Sequence, residues 1–255
     1  MMSRDTYLNL LNNELVALLV TGNDTTSFLQ GQTTNDISKL NIHDWQYSAH
    51  LNHKGRMLAV FIIYKTDDGY LLITHRSITD SIIARLKMFI LRSKVKISIL
   101  DKNIWFIYNS VQFEACGFDD YLIRFNQQQC LLITNSDTKQ LIQIDDRLDI
   151  VDNNHSWHQY LIANKIVFIT NKLVGKFIPQ HLEFQAVSYE KGCYTGQEIV
   201  ARTHYLGKSK KSLLTVDSDR LYDIGDDYTH DNQSAIVLDS YYNPADNKYI
   251  YLIVQ

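Results

Sequence analysis

The chain has 255 residues, 45% hydrophobic and 21% charged, which is an ordinary globular composition and enough length for two or three compact units. Its 25 basic and 28 acidic residues give a formal net charge of −3, so the overall charge gives no reason to expect binding to nucleic acid or to an acidic membrane. Three widely spaced cysteines, together with the lack of a leader-like start or a membrane-length apolar run, predict a reduced cytoplasmic protein without membrane contact.

The first hundred residues predict a mixture of strands and helices. Strands are predicted at 14–21, 47–52, 57–65, 70–74 and 95–100, and helices at 25–30 and 77–91. The longer helix has apolar residues at helical spacing, and Asp67-Asp68-Gly69 is a hairpin signal between two of the strands. These segments lack the regular strand–helix–strand alternation that is typical of a parallel sheet.

The second half predicts further strands at 104–108, 121–125 and 130–134, and helices at 136–144 and 157–164. From Leu213 onward, short strand-like segments alternate with turns. The chain is therefore expected to be an α+β protein that ends in a small barrel-like β module.

The stretch YEKGCYTGQEIVARTHYLGKSKK, from Tyr189 to Lys211, has the most specific pattern in the chain. Thr195 and Glu198 have the spacing of a capping box, which predicts that a helix begins just after Thr195. Glu198 and Arg202 lie four positions apart and are expected to pair on that helix, and Gly207 is expected to end it. The stretch is therefore predicted to be a tight loop that opens a short helix.

Cys193, just ahead of that helix, has two interpretations that the spacing leaves open. The helix N-terminus and the nearby Lys191 would favour its thiolate, while Gly192 and Gly196 would let the backbone turn and expose the sulfur. The cysteine would then be reactive or bind a metal. Alternatively, it is a buried loop side chain, since such glycines also occur in purely structural turns. A single cysteine does not by itself hold an iron–sulfur cluster, which usually needs four ligands.

The histidines and Trp157 also leave alternatives open. His155 and His158 could share one helical face, but without a third ligand we expect both to be ordinary surface side chains. The same expectation applies to His50 and His53, which flank a turn. Trp157 is either a core side chain or a stacking surface, and its local sequence favours the core.

Four segments give the chain a specific resemblance to a known family. The eight residues from Lys191 to Glu198, followed by Arg202, closely resemble the signature of the YgfZ family of folate-binding proteins, which are relatives of the glycine cleavage T-protein. Three other segments agree in the same order along the chain: VTGNDTTSFLQGQTTNDI at 20–37, LNHKGRMLAVFIIY at 51–64 and FIPQ at 177–180.

The resemblance implies a ring of three modules around a central folate-binding hole. Residues 1–45 with 101–200 would form a first ferredoxin-like unit, 46–100 a second one, and 201–255 a short C-terminal β-barrel. It also implies a role in assembling or repairing iron–sulfur clusters, with tetrahydrofolate or another reduced folate as ligand and with tRNA thiomodification supported indirectly. Expected partners are iron–sulfur client proteins or assembly factors, and direct tRNA binding is not expected.

The resemblance also implies roles for individual residues. Cys193 would be the functional thiol, assisted by Lys191 and Arg202. The folate-binding positions are Trp157, Leu15, Tyr194, Gln197 and Glu198. Trp157 falls where the family has a pterin-contacting tryptophan, whereas Leu15 stands where the family has a second tryptophan.

Three functions compete on these observations. The first is a folate-dependent accessory protein for iron–sulfur clusters, without classical catalytic activity. The second is an aminomethyltransferase, which Ala59 and Val60 disfavour because they replace the acidic residues of the T-protein and cannot transfer protons. The third is a scaffold in which Cys193 is only structural. The basic cluster of Arg202, Lys208, Lys210 and Lys211 is expected to attract the glutamate tail of folate or an acidic partner.

Overall fold

The structure is a computed structural model that describes residues 6–108, 120–137, 140–141, 148–150, 155–207 and 209–255. The strands of this part of the chain are β1 (Thr6–Leu10), β2 (Leu15–Thr21), β3 (Trp45–Leu51), β4 (Met57–Lys65), β5 (Gly69–His75), β6 (Lys96–Leu100), β7 (Asn103–Tyr108), β8 (Tyr121–Arg124), β9 (Gln129–Thr134), β10 (Leu148–Ile150), β11 (Leu213–Ser218), β12 (Asp227–His230), β13 (Gln233–Asn243) and β14 (Lys248–Val254). The helices are α1 (Thr25–Gln32), α2 (Thr79–Ile90), α3 (His155–Ala163) and α4 (Gln197–Leu206), and short 3₁₀ turns lie at Ile37–Lys39, Arg76–Ile78 and Pro179–Leu182.

The strands form three sheets. Sheet 1 has the order β10-β1-β7-β9-β8, sheet 2 the order β3-β4-β5-β2-β6, and sheet 3 the order β11-β14-β13-β12. All neighbouring strands are antiparallel except β1 and β10, which are parallel. The molecule is therefore a mixed α/β protein, and its C-terminal sheet is consistent with the predicted small β module.

Sheet 2 is buried on both faces, which explains why its strands are almost continuously apolar. Val16 and Leu18 of β2 point toward the core beneath α1 and α2. Leu15 and Ala17 alternate with them and point toward sheet 1 and α3. The same strand thus contributes to two cores on opposite sides of the sheet.

Sheet 3 packs on another part of sheet 2. Leu238 and Leu252 of sheet 3 share a core with Ala49 and Leu51 of β3 and with Phe177, the first residue of the FIPQ segment. Helix α3 also packs against β13. Elements of all three sheets therefore meet around α3.

Most predicted elements are confirmed within one or two residues, and three strands were missed. The missed strands are β1, β10 and β12. The helix predicted at 136–144 falls mostly outside the described residues. None of the helices in the described part of the chain is long and apolar enough to cross a membrane.

Strand β2 lies inside sheet 2, between β5 and β6, and it belongs to the residues 1–45 that the resemblance assigns to the first unit. Its register against β5 runs from Leu15 opposite His75 to Thr21 opposite Gly69. The apolar pattern predicts the strand but does not identify its neighbours. The division into domains as such stays a prediction.

Candidate functional site

The signature loop, residues 191–196 ahead of α4, packs tightly against the turn between β3 and β4. Gly196 has φ 83° and Gly55 has φ 69°, conformations that favour glycine. A Cβ atom on Gly196 would collide with the carbonyl oxygen of Asn52, and one on Gly55 would lie 2.9 Å from the Cβ of Ile199. Two of the family-like segments, LNHKG and CYTGQE, are therefore in direct backbone contact.

The predicted capping box is wrong. Helix α4 begins at Gln197, its N-cap is Gly196, and no side chain caps it. The backbone N–H of Thr195 instead donates to the carbonyl of Gly31 at 3.3 Å. Close packing against the Asn52–Gly55 turn requires a glycine at the cap position, and this overrides the local capping preference. The predicted C-cap is confirmed, since Gly207 donates its N–H to Thr203 at 3.2 Å.

Lys191 points inward. The residue is 7% exposed, and its ammonium donates to the carbonyls of Thr33 at 2.7 Å and of Asn35 at 3.0 Å. The ammonium also lies 5.3 Å from the ring centre of Tyr194. Burial lowers the pKa of Lys191 to about 8. Its visible role is to hold the loop to the segment after α1, and assistance to the Cys193 thiol stays a prediction.

Cys193 is exposed and free, whereas Cys130 is fully buried in β9. Cys116 lies outside the described residues. The loop therefore presents one thiol to solvent while Lys191 and Tyr194, on either side of it, are buried.

The other predicted site residues on α4 lie at the surface. Glu198 and Arg202 are exposed and Gln197 is half-buried. Among the ion pairs of the described residues there is none between Glu198 and Arg202, so their predicted pairing is not observed. Of the predicted basic cluster, Lys210 is exposed and Lys211 half-buried, while Lys208 lies outside the described residues.

Trp157 and Leu15 line one cavity that contains no residue of this loop. Each is 1% exposed, and both line a small cavity of about 20 Å³. The cavity is lined by Glu14, Leu15, His75, Trp157, His158, Leu161, Phe168, Thr170, Ile224, Leu238 and Asp239. These residues come from sheet 2, from α3 with the segment after it, and from sheet 3. The cavity has room for about one water molecule.

The indole of Trp157 is a core group. Its ring centre lies 5.2 Å from that of Phe106 and 5.7 Å from that of Tyr160. The preference for the core that its local sequence gave is therefore correct for this structure. Contact with a pterin ring would require the cavity beside Trp157 to widen, because known ligand pockets are roughly 300–1000 Å³.

His158 is not the surface side chain that we expected. Its Nδ1 lies 2.7 Å from Oδ1 of Asp239, and its Nε2 lies 3.0 Å from Oε1 of Glu14. Burial alone lowers the pKa of His158, but the charge and hydrogen bond of Asp239, together with those of Glu14, hold it well above its ordinary value. The two partners are 81 and 144 positions away in the sequence, so no local spacing could reveal them.

His50 is also not a surface residue. It is 0% exposed, with Nδ1 2.7 Å from the carbonyl of Gln32, while Nε2 accepts from Nε of Arg85 at 3.0 Å. These contacts fit the neutral ring with its proton on Nδ1. Burial lowers the pKa of His50 to about 4, and the neighbouring Arg85 charge acts in the same direction.

The positions that matter for aminomethyl transfer carry no acid. Ala59 and Val60 of β4 are both 0% exposed, and they pack into the cores on opposite faces of sheet 2. Among the described residues, no group of three or more His, Cys, Asp or Glu side chains is arranged to hold a metal ion.

Comparison with known proteins gives a consistent set of relatives. The chain is 30% identical over 233 residues to tRNA-modifying protein YgfZ of Enterobacter sp. (strain 638), covering 82% of this chain and 72% of that protein. It is 29% identical over 218 residues to tRNA-modifying protein YgfZ of Aliivibrio fischeri (strain MJ11), covering 79% and 68%. No family model matches the chain.

The fold is similar to that of a solved enzyme. The aminomethyltransferase T of the glycine cleavage system from Bartonella henselae superposes with a TM-score of 0.75, covering 99% of this chain and 78% of that one. The sequence identity is 14%, so this likeness shows the fold alone.

Proposed function

The chain belongs to the YgfZ family of tRNA-modifying proteins, and on this premise we propose that it is a folate-binding accessory protein for iron–sulfur cluster assembly or repair. It would support tRNA modification indirectly, by maintaining an enzyme that thiolates tRNA. The proposed clients are iron–sulfur proteins or their assembly factors. We place this activity in the cytoplasm, where the free thiol of Cys193 would stay reduced.

The observation that carries the proposal is the way in which the loop presents Cys193. The thiol is exposed, while the backbone beside it is fixed by the contact of Gly196 with the Asn52–Gly55 turn and by the buried ammonium of Lys191. A loop with a merely structural cysteine has no need to hold the sulfur in solvent. Cys193 would be the functional thiol, with Arg202 on the exposed face of α4 assisting contact with a partner.

The folate site is proposed where sheet 2, α3 and sheet 3 meet. Trp157 and Leu15 share the cavity there, as the family-like folate positions require, and the ring of three modules around a central hole is part of this proposal. The ring system of a reduced folate would contact Trp157 after the cavity widens. Tyr194, Gln197 and Glu198 would contribute from the signature loop and the start of α4, and the basic residues after α4 would attract the glutamate tail.

A fluorescence titration tests the folate site. Binding of tetrahydrofolate should quench tryptophan emission, and Trp157→Phe should remove most of the quench because Trp157 lines the cavity and neither Trp45 nor Trp105 does. Equal quenching and affinity in the Trp157→Phe protein would show that the site is misplaced.

An aminomethyltransferase is the alternative within the same fold. The T-protein fold favours it, but Ala59 and Val60 offer neither a proton acceptor nor a hydrogen bond. A scaffold with a structural Cys193 is the other alternative. Direct tRNA binding is not part of the proposal, because the net charge of −3 provides no general attraction to phosphates.

Deletion of the gene tests the function as a whole. We expect several iron–sulfur enzymes to lose activity and tRNA thiomodification to fall, and the wild-type chain should restore both. Normal activities of these enzymes in the deletion strain would contradict the accessory role. Turnover of an aminomethylated carrier protein with tetrahydrofolate by the purified chain would instead favour the transferase.

A further inference from the structure

The histidine bridge, formed by Glu14, His158 and Asp239, spans the cavity beside Trp157. Glu14 lies in the turn before β2, His158 is on α3, and Asp239 is on β13. One imidazole therefore connects the helix to both other walls of the cavity through bonds of 2.7 and 3.0 Å. The side chains are largely buried, with 19% of His158, 19% of Glu14 and 7% of Asp239 exposed.

Among the ion pairs of the described residues, the histidine bridge is the most buried link between the walls of the cavity. A second pair joins the segment after α3 to the loop between β11 and β12: Lys172 and Asp223 lie 3.4 Å apart, and their side chains are 51% and 73% exposed. Solvent and salt weaken such exposed pairs to between zero and about 1 kcal/mol. Among these ion pairs, the histidine bridge is therefore the main one that a separation of the cavity walls would break.

One polar group that lines the cavity has no hydrogen-bond partner. The hydroxyl of Thr170 is buried without a hydrogen-bond partner, and it lines the cavity together with His75. Nδ1 of His75 is already engaged by Ser77, and burial lowers the pKa of His75. A buried hydroxyl of this kind normally has a water or a ligand as its partner. The cavity is therefore suited to a polar occupant, but a single water fills it.

The histidine bridge joins three of the segments that line the cavity. The imidazole of His158 connects α3 to Glu14 in the turn before β2 and to Asp239 on β13. A movement of α3 away from that turn or from β13 makes room beside Trp157 and separates His158 from Glu14 or from Asp239. The imidazolium then loses a carboxylate partner, and solvent or the ligand takes its place.

We propose that the histidine bridge couples ligand entry at Trp157 to release of a proton from His158. This inference rests on the proposed folate site and names its regulation. In the closed state the imidazole is protonated between two carboxylates. When the ring enters, one hydrogen bond breaks, the proton leaves to solvent, and the neutral imidazole remains bonded to the other carboxylate. The groups that face His158 are Glu14 and Asp239, with His75 nearby.

Proton linkage gives the coupling a direct signature. Binding that releases one proton becomes up to about tenfold tighter for each unit of pH increase. The effect extends from the ordinary pKa of histidine upward, as long as the free protein holds His158 protonated. Affinity that is independent of pH is expected when the histidine bridge is absent.

Calorimetry with 5-formyltetrahydrofolate, a reduced folate that resists air oxidation, tests the proposal. Titrations at pH 7.5 in two buffers of different ionisation enthalpy measure the protons released per ligand. Wild type should release close to one proton more than His158→Gln, a variant that keeps a hydrogen-bonding side chain but cannot titrate. This difference removes any proton that the ligand itself contributes.

A second variant covers a failure of His158→Gln to fold. Asp239→Asn keeps an oxygen for His158 and for the backbone N–H of Ser240, which Asp239 accepts at 2.8 Å, but it removes one charge. It should shift the pH dependence of affinity to lower pH without abolishing binding. Equal proton release in wild type and the variants overturns the coupling and leaves the folate site intact. Absence of folate binding in every protein overturns both the folate site and the coupling.

Discussion

Lys191 and Cys193 are two positions apart in the signature, but their side chains lie in opposite environments. The lysine side chain is 7% exposed and bonded to two carbonyls, whereas the cysteine is exposed and free. Lys191 is thus a buried anchor of the loop, and Cys193 is a thiol that is exposed to solvent. Substitutions at the two positions should therefore separate stability from activity.

Replacement of the anchor should destabilise the fold. Lys191→Met leaves the carbonyls of Thr33 and Asn35 without their donor, and an unpaired buried polar group costs roughly 1–3 kcal/mol. We expect the free energy of unfolding in urea to fall by about this amount. A Lys191→Met protein as stable as wild type would show that the ammonium does not anchor the loop.

Replacement of the thiol should affect activity and not the fold. Cys193→Ala removes one exposed sulfur, so stability should change by no more than about 1 kcal/mol, while complementation of iron–sulfur enzyme activities should fall sharply. Cys130→Ala is the control, with activity near normal. A thiol reagent should label Cys193 in the native protein and Cys130 only after unfolding. Full complementation by Cys193→Ala would favour the structural interpretation.

At the scale of elements, the signature loop and the β3–β4 turn form one unit. Gly196 and Gly55 both have positive φ and face each other so closely that neither has room for a side chain. The turn thereby determines where α4 begins. This unit and the Lys191 anchor hold the backbone beside Cys193 in place. The Glu198–Arg202 pair that the sequence also predicted is not observed among the described residues.

A matched pair of glycine substitutions tests this unit. Gly196→Ala forces a strained backbone and a collision with Asn52, which together should cost roughly 2–4 kcal/mol. Gly192→Ala is the control, since nothing lies within 4 Å of its added Cβ, and it should stay within about 0.5 kcal/mol. Urea unfolding of both proteins gives the comparison. Similar stabilities would mean that the loop adapts without the glycine contact.

Elements with a strong apolar period could be predicted, and contacts between elements could not. Strand β4 and helix α2 follow from alternation and helical spacing, which depend on local geometry. The capping box failed because Gly196 meets a turn that lies about 140 positions earlier in the chain. His50 and His158 were misjudged for the same reason, since their partners belong to other elements.

At the scale of the molecule, three sheets share cores around α3, and the candidate folate cavity lies where sheet 2, α3 and sheet 3 meet. The sequence predicted an α+β fold with a small C-terminal β module, and the resemblance assigned Trp157 and Leu15 to one folate site; the structure places both beside this cavity. Closure of that cavity to the size of one water could not be predicted, because it depends on how three distant segments pack. Two histidines are buried with opposite preferences for a proton: His158 lies beside this cavity, and His50 contacts Gln32 of α1 and Arg85 of α2.

These histidines should give stability a maximum between acid and alkaline pH. The folded-state pKa of His50 is lowered to about 4, so its contribution is complete above the unfolded value of 6.5 and is lost as the pH falls toward 4. The loss is on the order of 3 kcal/mol. The folded-state pKa of His158 is raised, so its contribution is complete below 6.5 and is lost as the pH rises through the folded value.

Single variants should remove one limb of this profile each. Urea unfolding at intervals between pH 5 and pH 8, below the range in which Lys191 loses most of its proton, should show that His50→Gln loses much of the fall on the acid side and keeps the alkaline side. His158→Gln should do the reverse, because the two sites share no partner and their effects are therefore independent. Carboxylates titrate mainly below this range, so they add little to either limb. An acid limb unchanged in His50→Gln would mean that its imidazole is not held neutral by burial. An alkaline limb unchanged in His158→Gln would mean that a charged histidine bridge does not help to hold α3 to the turn before β2 and to β13.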